Sequence, residues 1–429
     1  MASAVTSDAV RKYAILHVAM PMELLMNHLF SPVRALILGS LLLLSTSPSP
    51  CLADTPSVLK IVSSLPKTGS ANGQATSIAN GIRLALQEIQ SKVANTTIQY
   101  EDWDDASPAR GAWDPAVEAS NADKAAQDPS VIAYIGPYNS GAAKISMPKL
   151  NQAGLLQVSP AATWPGLTKP GLGEPNEPMI YRPTGAINFF RVVPADDLQG
   201  DVGAQWAKEL GANRVFILHD GELYGKGVGS VFKRSAEKLG LTVLGFDKID
   251  PKAANFRSLA VRIKQQVPDL VYFGGTTQTG AGQLVKDLKA AGVTAKFMAP
   301  DGCFENSFIE SAGKDVLEGN AFVTFGGVPA HELTGNGKIF YDSYKKTFNT
   351  EPEGYAAYGY EAAKVILDAI SRSSVKDRAG VISAVAQTKD FPGALGTWSF
   401  DANGDTTVKL MSGNTVKGGQ FVLVKILGQ

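Results

Sequence analysis

Cysteine and histidine are scarce: two cysteines, Cys51 and Cys303, and four histidines occur in 429 residues. No metal-ligand spacing links a histidine to a cysteine, so no metal site is expected. An excess of charge of one sign is also missing, with 40 lysines plus arginines against 40 aspartates plus glutamates. Without a net field there is nothing to hold a polyanion, and a nucleic-acid partner is disfavoured. No P-loop and no G-x-S-x-G elbow occurs. An exported hydrolase would need a reactive pair that so few histidines make hard to assemble; no enzyme activity and no cofactor are expected. Beyond the leader region no run reaches the roughly 20 uninterrupted apolar residues of a bilayer span.

What is present begins with an export signal. Arg34 precedes an apolar run, Ala35 to Leu44, followed by turn-forming residues and Cys51-Leu52-Ala53. This is the pattern of a secretory leader ending in small-x-Ala, so residues 1–53 are read as a leader and the mature protein as exported. Met26 would open a leader of more ordinary length. Cys51 follows Pro50, with Pro48 three before, where lipid attachment wants a small residue and a leucine, so lipid anchoring is not expected. Cleavage after Ala53 leaves Cys303 alone, and stability then rests on packing rather than on an internal disulfide.

From Val58 onward apolar, β-branched runs alternate with amphipathic stretches, the pattern of a parallel α/β sheet. Val58 to Val62 reads as the first strand. After the loop Pro66 to Gly73, Ile78, Ile82, Ala85, Leu86 and Ile89 fall on one helical face. Further strands are read at Thr97 to Tyr100, Val131 to Ile135, Leu155 to Val158, Val215 to Leu218, Leu270 to Phe273 and Phe297-Met298. That number, and the Gly-, Pro- and Asn-rich stretch Gly171 to Pro194, call for two doubly wound sheets. A strong helix over Tyr355 to Ile370 is expected to pack back on the first. The lobes are drawn as 54–193 and 326–410 for the first, and 194–325 and 411–429 for the second.

In open parallel sheets ligands sit beyond the carboxyl ends of the strands, which selects the loops to inspect. Gly136-Pro137-Tyr138-Asn139-Ser140-Gly141 opens a helix. Ser140 there is a plain N-cap, or part of an anion receptor with neighbouring N–H groups. In Ser159 to Thr163 small residues leave carbonyls and amides accessible and Thr163 offers a hydroxyl; a simple turn is the alternative. Tyr224 follows His219-Asp220 and is placed to face a cleft. Gly225, Gly227 and Gly229 resemble a dinucleotide loop, but Ser230 stands where its last glycine belongs, so nucleotide binding is disfavoured. Asp301, ending another strand, is placed to meet an ammonium group, unless it only forms the turn. Asp401 to Asp405 fails as a calcium loop, with Thr406 and Ser412 at the positions needing Gly and Glu, and reads as a hairpin turn.

Together these segments resemble the leucine/isoleucine/valine-binding family of periplasmic solute-binding proteins of ABC transporters. The carriers are Ile135-Gly136 with Ser140, Ser159 to Thr163, His219 to Gly225, Tyr272 to Gly275, Phe297 to Gly302, and Gly396 to Asp401 with Gly404-Asp405. The resemblance implies a type I periplasmic-binding-protein fold, with hinge crossings near Val193-Pro194, Thr324-Phe325 and Leu410-Met411. It implies that Ser140, Ala161 and Thr163 hold a ligand carboxylate and help hold its ammonium, and that Tyr224 and Asp301 bind the ammonium on closure. Tyr138, Asn139 and Thr276 would line the remaining pocket and Trp164 its rim. The loop Thr68 to Gly73 and the pair Thr276-Thr277 lack the aromatic residues many members place there, which leaves the side-chain pocket roomier or more polar. The expected partners are an amino acid and an inner-membrane permease, the expected location is the periplasm, and the expected state is a monomer. The same scaffold binding an amide, urea or an aromatic carboxylate is the alternative.

Overall fold

Alternating burial along the strands sorts the chain into two sheets, each sandwiched between helices. The computed structural model describes residues 57–428; the expected leader, with Met26, Arg34 and Cys51, lies outside the described residues. The first stretch runs β1 (Ser57–Leu65), α1 (Asn72–Glu88), β2 (Lys92–Val93), β3 (Thr96–Asp104), a small hairpin β4 (Ala106–Ser107) and β5 (Ala112–Trp113), α2 (Pro115–Gln127), β6 (Val131–Ile135), α3 (Ser140–Gln152), β7 (Leu156–Ser159) and β8 (Phe189–Arg191). Six of these strands form a sheet in the order β2-β3-β1-β6-β7-β8. It is parallel except for β2. Pro115 at the first helical position and Asp114, whose carboxylate accepts from the Ala116 amide at 2.9 Å, start α2, a favourable N-terminus.

The chain then builds α4 (Asp196–Glu209), β9 (Arg214–His219), α5 (Leu223–Lys238), β10 (Thr242–Lys248), α6 (Arg257–Gln265), β11 (Leu270–Gly274), α7 (Ala281–Ala290), β12 (Lys296–Ala299), α8 (Asn306–Ala312), α9 (Lys314–Leu317) and β13 (Ala321–Phe325). It returns through α10 (Asn336–Phe348), α11 (Ala356–Arg372), α12 (Arg378–Ala386) and the hairpin β14 (Phe391–Gly393) and β15 (Gly396–Trp398), and ends with β16 (Met411–Lys417) and β17 (Gln420–Leu427). The second sheet has the order β10-β9-β11-β12-β13-β16-β17. Its last two strands are antiparallel additions, joined at Gly418 and Gly419, both at positive φ, a backbone that glycine adopts without strain.

The two-residue period decides which helices cover which face. On β9 and β11, Val215, Ile217, Leu270 and Tyr272 join a core with Trp206 of α4 and Phe232 of α5. Their neighbours Phe216, Leu218, Val271 and Phe273 turn the other way, toward Leu284, Val285 and Leu288 of α7. On the first sheet Val62, Val131 and Tyr134 meet Ala122 and Ala125 of α2 and Leu150 of α3. Ile61, Ala133 and Ile135 face α1 and α11.

The long tail helix packs on α1 of the first sheet while β16 pairs with β13 of the second, so the chain passes between the sheets three times. Of the strands in the two large sheets, β2, β8, β10, β13, β16 and β17 escape the sequence reading. β8 is only three residues long inside the Gly- and Pro-rich stretch, and β10 lies at the sheet edge with no residue of its span fully buried, which leaves little apolar alternation to read.

The contact between α1 and α11 depends on two glycines. A Cβ on Gly81 would lie 2.2 Å from the Ala356 carbonyl oxygen, and one on Gly359 would lie 2.4 Å from that of Ile78. Gly81→Leu is expected to destabilise the protein by about 1–3 kcal/mol through overpacking, read as a lowered urea midpoint at unchanged slope. An unchanged midpoint would show that the helices separate at no cost.

Candidate functional site

At the carboxyl end of β6 the backbone must pass very close to β1. Gly136 takes φ +128, and a Cβ there would lie 2.5 Å from the Ser64 carbonyl oxygen, so only glycine fits. The chain then turns through Tyr138 and Asn139 into α3. Ser140 is not the expected cap: α3 starts at Ser140 itself, Asn139 precedes it, and no side-chain capping bond forms. The Ser140 hydroxyl instead accepts from the main-chain N–H groups of Thr163 at 3.2 Å and Trp164 at 3.1 Å. Ser159, ending β7, ties the two loops together by donating to the Pro137 carbonyl at 2.8 Å and accepting from Ala162 N at 2.9 Å.

Arg191, ending β8, fixes the direction of the Thr163 amide. Its guanidinium is fully buried and donates to the carbonyls of Ala162 (3.2 Å) and Trp164 (2.8 Å). The Ala162 carbonyl shares a peptide with the Thr163 amide, so drawing it to one side aims that amide to the other, at Ser140. The Trp164 amide shares its peptide with the Thr163 carbonyl, which is held instead by Asp196 N. The arginine is paired with Asp405 at 2.7 Å and donates to the Thr168 hydroxyl at 2.5 Å. Arg191 beside it holds the Asp405 carboxyl below its ordinary range, against the opposing effect of burial. Asp401 supports this pair from the tail turn, accepting from Asn403 N and Asp405 N. The motif that failed as a calcium loop therefore positions a counter-ion.

The second sheet contributes an acid. Asp301 begins a 3-10 turn, Asp301–Cys303, after β12. It accepts from the Tyr224 hydroxyl at 2.5 Å and from the Tyr355 hydroxyl. Tyr224 in turn accepts from Gly302 N at 3.0 Å. Burial raises the Asp301 carboxyl above its usual value, with the two phenols pulling it back. Burial, and then the Asp301 charge, push the Tyr224 and Tyr355 phenols well up, so both stay protonated donors. Thr276 caps the neighbouring turn together with Thr279, and Thr279 donates to Asp220 at 2.9 Å.

Tyr138, Asn139, Ser140, Ala161, Tyr224, Thr276 and Asp301 line one small cavity, together with Gly302 and Tyr355. Of the residues singled out in the sequence, Thr163 is not among the lining. Its amide reaches Ser140, while its carbonyl accepts from Asp196 N at 3.0 Å. Trp164 is not a rim residue: it is buried, its indole donates to Glu177 at 2.8 Å, and a Cβ on Gly227 would lie 2.4 Å from its ring. The glycines of α5 thus serve close packing rather than a nucleotide.

Sequence reasoning missed three participants. Tyr355 read only as a helix start, although it follows Gly354 and opens α11 beside the cavity. Arg191 lay in a stretch read as irregular. Asp196 is fully buried, its carboxyl raised first by burial and then by the Asp301 charge; its only signal was an acid just past the expected crossing. Among the described residues no group of acids, histidines and cysteines is arranged to hold a metal.

A family model described as periplasmic binding protein matches residues 58–420. The chain belongs to the periplasmic binding protein family. It is 29% identical over 363 residues to the Leu/Ile/Val-binding protein BraC3 of Rhizobium johnstonii, covering 83% of this chain and 91% of that protein. The crystal structure of the leucine-binding protein LivK of Thermotoga maritima superposes with a TM-score of 0.75 at 26% identity, over 86% of this chain and 99% of that one. LivJ of Streptococcus pneumoniae, crystallised with isoleucine, gives 0.72 at 24% identity over 86% and 100%. The fold is that of the type I periplasmic binding proteins, two doubly wound sheets joined by three crossings.

Arg191→Met would leave the buried Asp405 charge unpaired, at an expected cost of about 3–5 kcal/mol. The double variant Arg191→Met/Asp405→Leu should recover part of it. Urea denaturation of the three proteins checks this, and a double variant no more stable than the single one would refute the pairing argument.

Proposed function

We propose that this periplasmic binding protein captures a small zwitterionic solute, an amino acid, between two lobes built on its two sheets, and presents it to an inner-membrane ABC permease. The observation that carries the reading is one cavity with an acid from the second sheet and a hydroxyl backed by oriented amides from the first. An α-carboxylate fits the Ser140 side and an α-ammonium fits Asp301. A ligand of this kind favours the closed arrangement because only closure gives it both partners at once. The relatives named for leucine, isoleucine and valine binding support the class of ligand. The reading gives the protein a role in transport rather than catalysis, with export through the leader and action in the periplasm.

An uncharged amide is the second reading, favoured by the upward shift of the Asp301 carboxyl, since a protonated carboxyl would donate to an amide carbonyl. The two readings predict opposite pH trends. The raised Asp301 group must be ionised to hold an ammonium, so affinity for an amino acid should fall as pH drops, starting above the ordinary carboxylate range. Amide affinity would rise over the same interval. A charge-assisted bond is worth about 1.5–3 kcal/mol net, so Asp301→Asn should weaken amino-acid binding at least about tenfold. Titration calorimetry across pH, on both proteins, checks both statements, and unchanged affinity in Asp301→Asn would remove the ammonium site.

A further inference from the structure

The cavity at Asp301 opens into a second, larger one. They share Asn139, Ser140, Tyr224 and Thr276, and the outer one encloses ≈ 1150 Å³ of empty space that includes the open mouth of the cleft. The inner end is closed by Tyr138 and Tyr355, edge to face at 5.6 Å and 87°. A Cβ on Gly302 would already lie 2.9 Å from Thr276 Cγ2 and 3.0 Å from the Tyr224 ring. The inner space therefore suits a head group, and a long side chain has its way out past Thr276.

What it meets there is the hairpin β4–β5. Trp113 ends that hairpin, half-buried, and its ring is so close to α3 that a Cβ on Gly141 would lie 2.7 Å from Cζ2. The indole thus stands one residue from Ser140. The Arg110 guanidinium lies 5.6 Å from the Trp113 ring and reaches across the cleft to Glu222 at 4.0 Å, holding the hairpin over the mouth. Pro66, Ala71 and Ala112 continue the apolar wall on this side. The facing wall is polar and charged, with Thr276, Gln278 and Thr279 beside Asp220, Glu222, Lys248, Asp250 and Lys252.

We propose that the outer cavity is the side-chain subsite and that Trp113 selects amino acids with an aromatic side chain. The inference rests on the zwitterion reading of the inner cavity. A planar ring lies flat against an indole, excludes water from one apolar wall and keeps its edge toward the threonines opposite. A short aliphatic side chain stops before Trp113 and leaves the outer space wet.

The test is a calorimetric panel of alanine, leucine, phenylalanine and tryptophan on the purified protein and on Trp113→Ala. Phenylalanine and tryptophan are expected to bind at least about tenfold more tightly than leucine. Trp113→Ala should abolish that preference, weakening phenylalanine and tryptophan at least about tenfold more than alanine and leucine. Leucine binding as tightly as phenylalanine, or a variant that weakens all four ligands equally, overturns the aromatic subsite alone. The wild-type panel decides even if the variant fails to fold. Silence of all four toward the wild type overturns the zwitterion reading together with the subsite.

Discussion

One buried guanidinium organises the Ser140 side of the cavity. Arg191 has no solvent to solvate it, so every donor must be used inside the protein. It spends them on Asp405 from the tail, on Thr168, and on two carbonyls of the loop after β7. Peptide groups are planar, so fixing the Ala162 carbonyl also fixes the Thr163 amide, while the Trp164 amide is set by the Thr163 carbonyl, which accepts from Asp196 N. The loop is thereby oriented before any ligand arrives, which limits the ordering cost of binding. It also couples the last crossing of the chain to the site, because Asp405 lies just before β16.

The acid-facing half is organised by desolvation. Asp301 and Asp196 are both buried, which raises both carboxyls, and the Asp301 charge raises that of Asp196 further. Two phenols satisfy Asp301, one from α5 and one from the start of α11. Tyr224 belongs to the second-sheet side and Tyr355 to the helix packed on the first, so the bond from Tyr355 joins the two sides directly. On the proposed reading, a cationic group entering here sets a full opposite charge beside a carboxylate otherwise held by neutral donors.

Much of the strand and helix pattern was legible because burial imposes a period. Val131 to Ile135, Leu270 to Phe273 and the helix after Tyr355 are apolar at spacings that allow one structure. The cavity loops were legible for a related reason, since strand ends in a parallel sheet must converge. Gly136, Ser140, Ala161, Tyr224 and Asp301 all lie in the short segments just past the strand ends, where such convergence is expected. β8 and β10 were not legible, one too short and one at an edge, and β2, β13, β16 and β17 also went unread. Ser140 was misread as a cap because capping is a local rule, whereas its hydroxyl is claimed by amides more than 20 residues away.

The amino-acid sequence by itself determined the class of architecture, the loops that meet and the chemical character of the groups they carry, because these follow from local periodicity and from side-chain type. Tertiary structure alone decided which groups share a space. Tyr355 reaches Asp301 across 54 positions of chain, and Arg191 reaches Asp405 across 214. Trp164 turns inward onto Gly227, while Trp113 on its hairpin stands at the mouth. Such pairings depend on how two sheets are brought together, and no spacing along the chain encodes that distance.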